Sequence, residues 1–147
     1  MSTEQLSDYN VSGQRSSIVS RKQQYSDLNL SLILHPTKKD IVPLTDIAAV
    51  KNSIKNLVLT GRYERLFNPD LSSGVRSLLF ENATPDTKYK IEYYIRNVIS
   101  EYEPRVGRVI VDVEDDSDNN AYYITITFNV RNINIQDSMN IYLERVR

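Results

Sequence analysis

The spacing of the apolar residues changes at Pro104, and no other feature of this sequence constrains its fold as strongly. Before Pro104, apolar residues recur every three or four positions, which is typical of a helix with one buried face. They are Ile91, Ile95, Val98, Ile99 and Tyr102. After Pro104, apolar residues occupy alternate positions, which is the period of a β-strand. They are Val109, Val111 and Val113, then Tyr122, Ile124, Ile126, Phe128 and Val130. The sequence therefore predicts a helix followed by a β-hairpin.

Sequence signals mark both ends of this helix. Thr84 suits the N-cap, Pro85 the first helical position and Asp86 the first turn, where a negative charge interacts favourably with the helix dipole. Pro104 ends the helix because proline disfavours helical angles at the residue before it. The polar run at residues 114–120 has the composition of a turn between two strands.

Two more helices are predicted upstream. Thr45 or Asp46 can cap the first, and Gly61 suits its carboxyl end. Its apolar stripe consists of Ile47, Val50, Ile54, Leu57 and Val58. A brief helix at residues 73–80 would turn three further side chains inward, those of Val75, Leu78 and Leu79.

The amino-terminal part of the chain has a different character. Residues 1–24 are rich in Ser, Gln, Asn and charge without any period, which predicts a flexible arm. Leucines then alternate at Leu28, Leu30, Leu32 and Leu34, which predicts a strand with one buried face. Residues 41–44 are expected to be extended as well.

The last residues, 140–146, alternate more weakly and predict an edge strand. Since its own burial would be incomplete, we expect removal of residues 140–147 to leave the rest folded. Together these elements predict one α+β domain at residues 25–147. Three helices would pack on a small, mostly antiparallel sheet with a C-terminal hairpin and the terminal edge strand.

Composition excludes several classes of function. The absence of cysteine excludes disulfides, thiolate metal sites and cysteine nucleophiles. The 18 Lys and Arg nearly cancel the 19 Asp and Glu, so no strong field would attract nucleic acid or anionic lipid. There is no signal-peptide pattern and no stretch near the ~20 apolar residues of a membrane span. We therefore expect a soluble, unsecreted protein with neither nucleic acid nor membrane as its partner.

No recognisable motif for catalysis or for a cofactor occurs. The single histidine, His35, sits in a His-Pro turn, and one imidazole is too few for a histidine metal site. The run at residues 115–120 resembles a calcium loop only in part, since Ala121 replaces the glycine and Thr127 the closing glutamate. We expect no bound metal and no cofactor.

Glycoside hydrolysis would need two carboxyl groups flanking the bond, one with a raised pKa. Four glutamates are available, Glu64, Glu81, Glu101 and Glu103, but nothing in their spacing selects a pair. The sequence therefore predicts a protein that is not an enzyme.

Glu103, Pro104 and Arg105 place opposite charges beside a rigid backbone where the long helix meets the first hairpin strand. The residues themselves leave two interpretations open, an interaction surface or a helix stop with solvated charges. An exposed pair would contribute only about 0–1 kcal/mol, so we expect Arg105→Ala to leave the fold nearly intact.

From Tyr25 to the C-terminus, the ordered landmarks of the chain resemble the gene-25-like, or lysozyme-like, baseplate wedge proteins of contractile-tailed phages and their type VI secretion relatives. The landmarks are Asp27-Leu-Asn-Leu-Ser-Leu, His35-Pro with Asp40-Ile, the segment from Asp46 to Thr60, Gly61 with Glu64-Arg65, Leu78-Leu-Phe-Glu81, and Tyr102-Glu-Pro-Arg105. Two departures occur: Arg62-Tyr63 separates Gly61 from Glu64-Arg65, and Asp70-Leu-Ser-Ser-Gly74 replaces a Phe-Gly-Ser segment.

The resemblance implies a structural subunit present in multiple copies in the six-fold tail baseplate of a virion, made in the host bacterial cytoplasm. Its partners would be other wedge proteins and the tail sheath protein, whose first ring it would template by strand addition. Glu103, Pro104 and Arg105 would face the wedge core, and Glu64 and Arg65 would belong to the same class of interface.

Two rival functions stay open. The lysozyme-like label would make the chain a peptidoglycan hydrolase, which the sequence supports only by having carboxylates. A strand-binding adaptor outside any virion is the other. We expect the terminal strand to help template the sheath.

Overall fold

The computed structural model describes residues 24–116, 118–133 and 135–144, and it has the α+β class that the sequence predicts. Of the predicted arm at residues 1–24, only Gln24 is among the described residues. In chain order the elements are β1 (Ser26–Asp27), β2 (Leu44–Thr45), α1 (Ile47–Leu59), α2 (Val75–Leu78), α3 (Pro85–Tyr102), β3 (Val106–Asp116), β4 (Ala121–Val130) and β5 (Ile135–Glu144).

The main sheet has the order β3-β4-β5, and both pairings are antiparallel. In the middle of the sheet, Thr125 of β4 lies opposite Asp112 on β3 and opposite Asn140 on β5, which describes the register of all three strands. β1 and β2 form a separate two-residue pairing near α1. β4 is therefore the central strand of the main sheet, and β3 and β5 are its edges.

Alternation places one face of this sheet against the helices. Most of the stripe predicted on α3 is buried, with Tyr102 half-buried at its end. Most of the apolar positions predicted on α1, α2 and the strands are buried as well, while Ile47 and Val109 are half-buried. The fully enclosed side chains include Ile54, Ile91, Ile95, Ile99, Ile124, Ile126 and Phe128. This single cluster makes the helices and the sheet one hydrophobic core.

The ends of α3 follow the predicted chemistry. The Thr84 side-chain oxygen accepts a hydrogen bond from the Thr87 N–H at 3.2 Å, and Pro85 occupies the first turn. At the other end, the Glu103 N–H donates to the Ile99 carbonyl at 2.9 Å before Pro104 ends the helix.

The two upstream helices differ from the prediction in detail. Asp46 occupies the N-cap of α1 with a φ of 49°, but its side chain makes no capping hydrogen bond. Instead, Asp46 Oδ1 accepts from the backbone N–H groups of Gln24 and Tyr25. α2 spans only the four residues Val75–Leu78, fewer than residues 73–80, and its N-cap is Gly74, whose φ of 66° favours glycine.

The strand predicted from the alternating leucines is wrong. β1 ends at Asp27, and the chain then turns, since the Leu32 N–H donates to the Asn29 carbonyl and the Ser31 N–H to the Asn29 side chain. Leu32 has a φ of 51°, which no strand residue adopts. A local turn centred on an asparagine therefore overrides the period-two pattern.

The last strand is longer and more buried than predicted. β5 begins at Ile135, and Ile141 and Leu143 belong to the hydrophobic core. The incomplete burial expected of this strand is therefore wrong, and removing residues 140–147 would uncover part of this core. Residues 145–147, which include the predicted end of the strand at Val146, lie outside the described residues.

Candidate interaction surfaces

Glu103, Pro104 and Arg105 form the corner between α3 and β3. Glu103 closes the helix, and its carbonyl accepts from the Val106 N–H at 3.1 Å, so the chain turns directly into the strand. The Arg131 N–H donates to the Arg105 carbonyl at 3.0 Å and ties the corner to the end of β4. The predicted junction of helix and strand is thus held by backbone hydrogen bonds on both sides.

The charge pair at this corner is internal. Arg105 Nε lies 2.6 Å from Glu103 Oε1, and Arg105 Nη2 lies 2.7 Å from Oε2, a bidentate geometry. Glu103 is only 2% exposed, and the Arg105 side chain keeps 27% of its surface accessible. The expectation of an exposed pair is therefore wrong, because the helix end buries the carboxylate.

Two opposing effects act on the Glu103 carboxyl group. Burial by itself would raise its pKa, but hydrogen bonds from Arg105 and then Ser53, with the positive charge of Arg105, lower that pKa below its ordinary value. The same contact raises the pKa of Arg105. Both side chains are therefore charged at neutral pH.

The corner also holds the amino-terminal segment. The Arg105 guanidinium carbon lies 5.4 Å from the centroid of the Tyr25 ring, within the range of a cation–π contact. The Tyr25 hydroxyl accepts from Asn132 Nδ2 at 2.6 Å. Asn52 Nδ2 of α1 donates to Asp27 Oδ2 at 3.0 Å. Residues 24–27 are thereby fixed against α1 and the corner.

Glu64 and Arg65 lie in the loop between α1 and α2. Glu64 Oε2 accepts from the Gly61 N–H at 2.6 Å and lies 3.9 Å from Arg76 Nη1, so this carboxylate braces the base of the loop. Arg65 is exposed, and the two residues that follow it, Leu66 and Phe67, are 90% and 102% exposed. The loop therefore presents a cation beside two bare apolar side chains.

Residues 28–34 form a second exposed apolar surface. Leu28, Leu30, Leu32, Ile33 and Leu34 are each between 53% and 61% exposed. Large apolar side chains concentrated in one short exposed segment are typical of an interaction site. We call residues 28–34 the aliphatic segment.

The four glutamates considered for hydrolysis lie in different environments. Glu103, the one buried among them, has a lowered pKa, whereas a general acid in a glycosidase requires a raised one. Glu64, Glu81 and Glu101 are exposed. A groove of about 660 Å³ beside α2 includes Glu81 and Asp70, but Arg62 and Arg76 also line it.

His35 is a turn residue, since its Nδ1 accepts from the N–H groups of Thr37 and Lys38. Within residues 24–116, 118–133 and 135–144, no three His, Cys, Asp or Glu side chains are grouped as metal ligands would be. None of the helices in that part of the chain has the length and hydropathy that crossing a bilayer requires.

The family profile described as "Baseplate wedge protein gp25" matches residues 45–134, a stretch that runs from β2 through the three helices, β3 and β4 and stops just before β5. That range includes more than half of the chain and both the α3–β3 corner and the Glu64 loop. The chain belongs to the gp25 family of baseplate wedge proteins. The resemblance noted from its sequence landmarks is thus confirmed.

Relatives agree with this assignment. The chain is 29% identical over 106 residues to the baseplate wedge protein gp25 of Enterobacteria phage T4, which covers 72% of this chain and 80% of the phage protein. A candidate tail lysozyme from Geobacter sulfurreducens has a similar fold, with a TM-score of 0.60 and 22% identity over 67% of this chain and 89% of that one.

Two baseplate assemblies contain chains of similar fold. One is the six-fold symmetrised baseplate of the anti-feeding prophage, with a TM-score of 0.53 and 17% identity over 84% of this chain and 87% of that one. The other is the baseplate complex of the type VI secretion system, with a TM-score of 0.53 and 14% identity over 67% and 94% of the two chains.

Sequence reasoning missed two features of the gp25-family chain. The contacts of Tyr25 and Ser53 with the corner join residues far apart in the chain, and no local sequence pattern predicts such contacts. Leu66 and Phe67 did carry a signal, because two adjacent large apolar residues lie inside an otherwise polar loop that ends in Asn68-Pro69.

Proposed function

We propose that this protein is a structural, non-enzymatic subunit of a contractile-tail baseplate wedge, present in multiple copies in a six-fold virion assembly. It links the wedge core to the tail sheath and templates the first sheath ring by strand addition. It is synthesised in the cytoplasm of the host bacterium before it enters the virion. Membership of the gp25 family supports the baseplate location.

The observation that carries the assembly role is the aliphatic segment. Each half-exposed aliphatic side chain costs free energy in water, about 25 cal/mol for every Å² of apolar surface left uncovered. A partner that covers this surface recovers that free energy. The aliphatic segment is anchored at its start by Asp27 and Tyr25, so it is presented in a defined place.

Other surfaces fit further contacts with wedge proteins. Arg105 retains an accessible side at the corner while Glu103 holds its guanidinium in position, and Pro104 is exposed beside it. Glu64 and Arg65 directly precede the exposed residues Leu66 and Phe67. We assign Pro104, Arg105, Glu64 and Arg65 to interfaces within the wedge, and the buried Glu103 to the same interface through its hold on Arg105.

Strand addition is supported by the sheet. Among the described strands both β3 and β5 are edges, and an edge strand has unpaired N–H and C=O groups that an incoming strand can bind. A sheath subunit that adds a strand here would acquire a fixed position relative to the wedge.

The experiment compares two exposed substitutions in co-expressed wedge proteins. Leu30→Asp puts a charge in the aliphatic segment, and Thr37→Asp puts the same charge in the neighbouring exposed turn. We expect both variants to melt like the wild type, while only Leu30→Asp fails to enter wedges seen by electron microscopy. Normal incorporation of Leu30→Asp would overturn the role given to this segment.

The candidate tail lysozyme among the structural relatives motivates one competing test. Purified protein is incubated with labelled peptidoglycan, and the release of soluble label is measured. We expect none above a heat-treated control. Turnover that Glu81→Gln or Glu103→Gln abolishes would replace the structural role by a hydrolase.

A further inference from the structure

A pocket lies where the turn between α2 and α3 meets the end of the hairpin formed by β3 and β4. It has a volume of about 140 Å³, and its walls come from residues 79 and 81–83 on one side and from residues 115 and 120–122 on the other. One buried water needs only about 10–15 Å³ of such space. The pocket can therefore take a larger group, and we call it the Tyr122 pocket.

Tyr122 brings a buried hydroxyl to this pocket. The residue is only 4% exposed, and in the part of the chain that the structure describes no group forms a hydrogen bond with its hydroxyl. A buried hydroxyl without a partner is unfavourable, and native proteins satisfy nearly all such groups. The Tyr122 hydroxyl is therefore suited to a hydrogen bond from a group outside this chain.

Two carboxylates lie beside this hydroxyl. Asp115 is opposite Tyr122 in the register of β3 and β4, so the two side chains are on the same face of the sheet. Glu81 is on the open side of the pocket, with half of its side chain exposed. Desolvation, and then the negative charges of Asp115 and Glu81, raise the pKa of Tyr122. The hydroxyl thus keeps its proton at neutral pH and lies in a negative field that attracts a cation.

Glu81 has room for a second cation. Its Oε2 atom lies 3.8 Å from Lys90 Nζ, but Lys90 Nζ lies closer to Asp86 Oδ2, at 2.8 Å. An ionised carboxylate offers about four acceptor positions, so one distant ammonium does not saturate it. A further ammonium can therefore bind Glu81 from the pocket.

The remaining walls of the Tyr122 pocket include apolar residues, namely Leu79, Ala83 and Ala121. A lysine side chain has the matching construction, since its methylene stem packs on apolar surface while its ammonium binds oxygen atoms. A metal ion fits less well. Calcium takes about six to eight oxygen ligands, and among the described residues no third acidic side chain or histidine joins Glu81 and Asp115.

We infer that the Tyr122 pocket receives a lysine side chain of a neighbouring wedge protein, whose ammonium binds Glu81, Asp115 and the Tyr122 hydroxyl. The inference rests on the proposed function, since it names one contact that holds the chain in the wedge. That function assigns the sheath to the edges of the main sheet, whereas this pocket lies between the α2–α3 turn and the end of the hairpin.

Carbodiimide crosslinking tests the contact, because the reagent joins a carboxylate to an amine without a spacer and so requires the two groups to touch. Wedges are assembled from the full chain and co-expressed wedge proteins, treated with the reagent and digested, and the joined peptides are identified by mass spectrometry. We expect Glu81 or Asp115 to be joined to a lysine of a wedge protein. Glu114, which is exposed on the other face of β3, is the internal control and should not be joined to that lysine.

Wedges that contain the chain but show no such crosslink from Glu81 or Asp115 would overturn this inference and leave the proposed function standing. Joining of the same lysine to Glu114 would overturn it as well, because the lysine would then lie outside the pocket. Absence of the wild-type chain from the wedges would remove the proposed function and this inference together.

Tyr122→Phe tests the role of the hydroxyl, since it keeps the ring and removes only the oxygen. The isolated variant should melt at or above the wild-type temperature, because the change removes an unsatisfied buried group. When equal amounts of variant and wild type compete for limiting wedge proteins, incorporation of the variant should fall about tenfold, the effect of one hydrogen bond to a charged group. Tyr123→Phe makes the same change at the next, exposed residue and should have less than a twofold effect.

Two results would contradict the role of the hydroxyl. A lower melting temperature for Tyr122→Phe would show that the hydroxyl is already bound within the isolated protein. Equal incorporation of Tyr122→Phe and Tyr123→Phe would show that no partner binds it. Either result would overturn the lysine contact at the Tyr122 pocket.

Discussion

The aliphatic segment and β4 both place apolar side chains at alternate positions, but they have opposite relations to the core. In β4, Ile124, Ile126 and Phe128 are enclosed, whereas Leu28 and Leu30 are more than half exposed. β4 has a strand on each side, and its inward-facing side chains share one core cluster with the helices. The aliphatic segment has an asparagine turn and one isolated bridge, Leu34 with Ile41. An alternating pattern therefore shows which residues can be buried, and neighbouring strands decide whether they are.

The largest difference between the two regions is expected in stability. Phe128→Ala should lower the free energy of unfolding by about 3–5 kcal/mol, because it opens a cavity in the core. Leu30→Ala is the matched change in the aliphatic segment, and it should alter the free energy of unfolding by less than about 0.5 kcal/mol. Urea denaturation of both variants measures this contrast. A loss of several kcal/mol for Leu30→Ala would mean that the aliphatic segment is buried in the isolated protein.

The second prediction concerns the corner that joins the two regions. Arg105→Ala leaves the Glu103 carboxylate buried without its main partner and should cost about 1–3 kcal/mol. Arg105→Lys keeps the charge but loses the bidentate geometry, so its stability should lie between those of Arg105→Ala and the wild type. Thermal melting of the three proteins measures this order of stability. Arg105→Ala with wild-type stability would restore the view that the pair is unimportant to the fold.

The same pair predicts a pH dependence. Because the folded state lowers the pKa of Glu103, its ionised form stabilises the fold above the ordinary glutamate pKa of about 4.3. This stabilisation is lost as the pH falls through the lower pKa of the folded state. The stability difference between wild type and Glu103→Gln should be constant from pH 7 to about pH 5 and shrink below about pH 4.3. A difference that grows on acidification would contradict the direction of the shift.

A smaller effect is expected from the attachment of the amino-terminal segment. Tyr25→Ala removes the ring beneath Arg105 and the acceptor for Asn132, and should cost about 1 kcal/mol. Amide hydrogen exchange should become faster at residues 24–27 while that of β4 is unchanged. Equal acceleration in both regions would show that they unfold as one unit.

The smallest effect is expected where α1 meets β5. Lys51 and Asp137 are each about one-third exposed, and the hydrogen bond from Lys51 lowers the pKa of Asp137. Asp137→Asn should therefore cost about 0.5 kcal/mol, and 1 M salt should reduce that difference. A salt-independent loss of more than 2 kcal/mol would mean that the pair has a larger structural role.

Much of the central architecture was predictable because it depends on local signals. Thr84, Pro85 and Pro104 fix the bounds of α3, and the change to period two fixes which residues of β3 and β4 face the core. The candidate interface residues were also named from sequence, through the family resemblance. Their local environments were not, since the burial of Glu103 depends on the approach of Ser53 and the packing of the helix end.

The sequence by itself determined the helical and strand periods, the chain's lack of cysteine chemistry and its membership of the gp25 family. Tertiary structure alone decided which alternating segment is buried. It also decided that Asp46 accepts hydrogen bonds from residues 24 and 25, and that Arg105 pairs with the buried Glu103. Period and capping depend on residues a few positions apart, whereas burial and ion pairing depend on groups that folding brings together from distant parts of the chain.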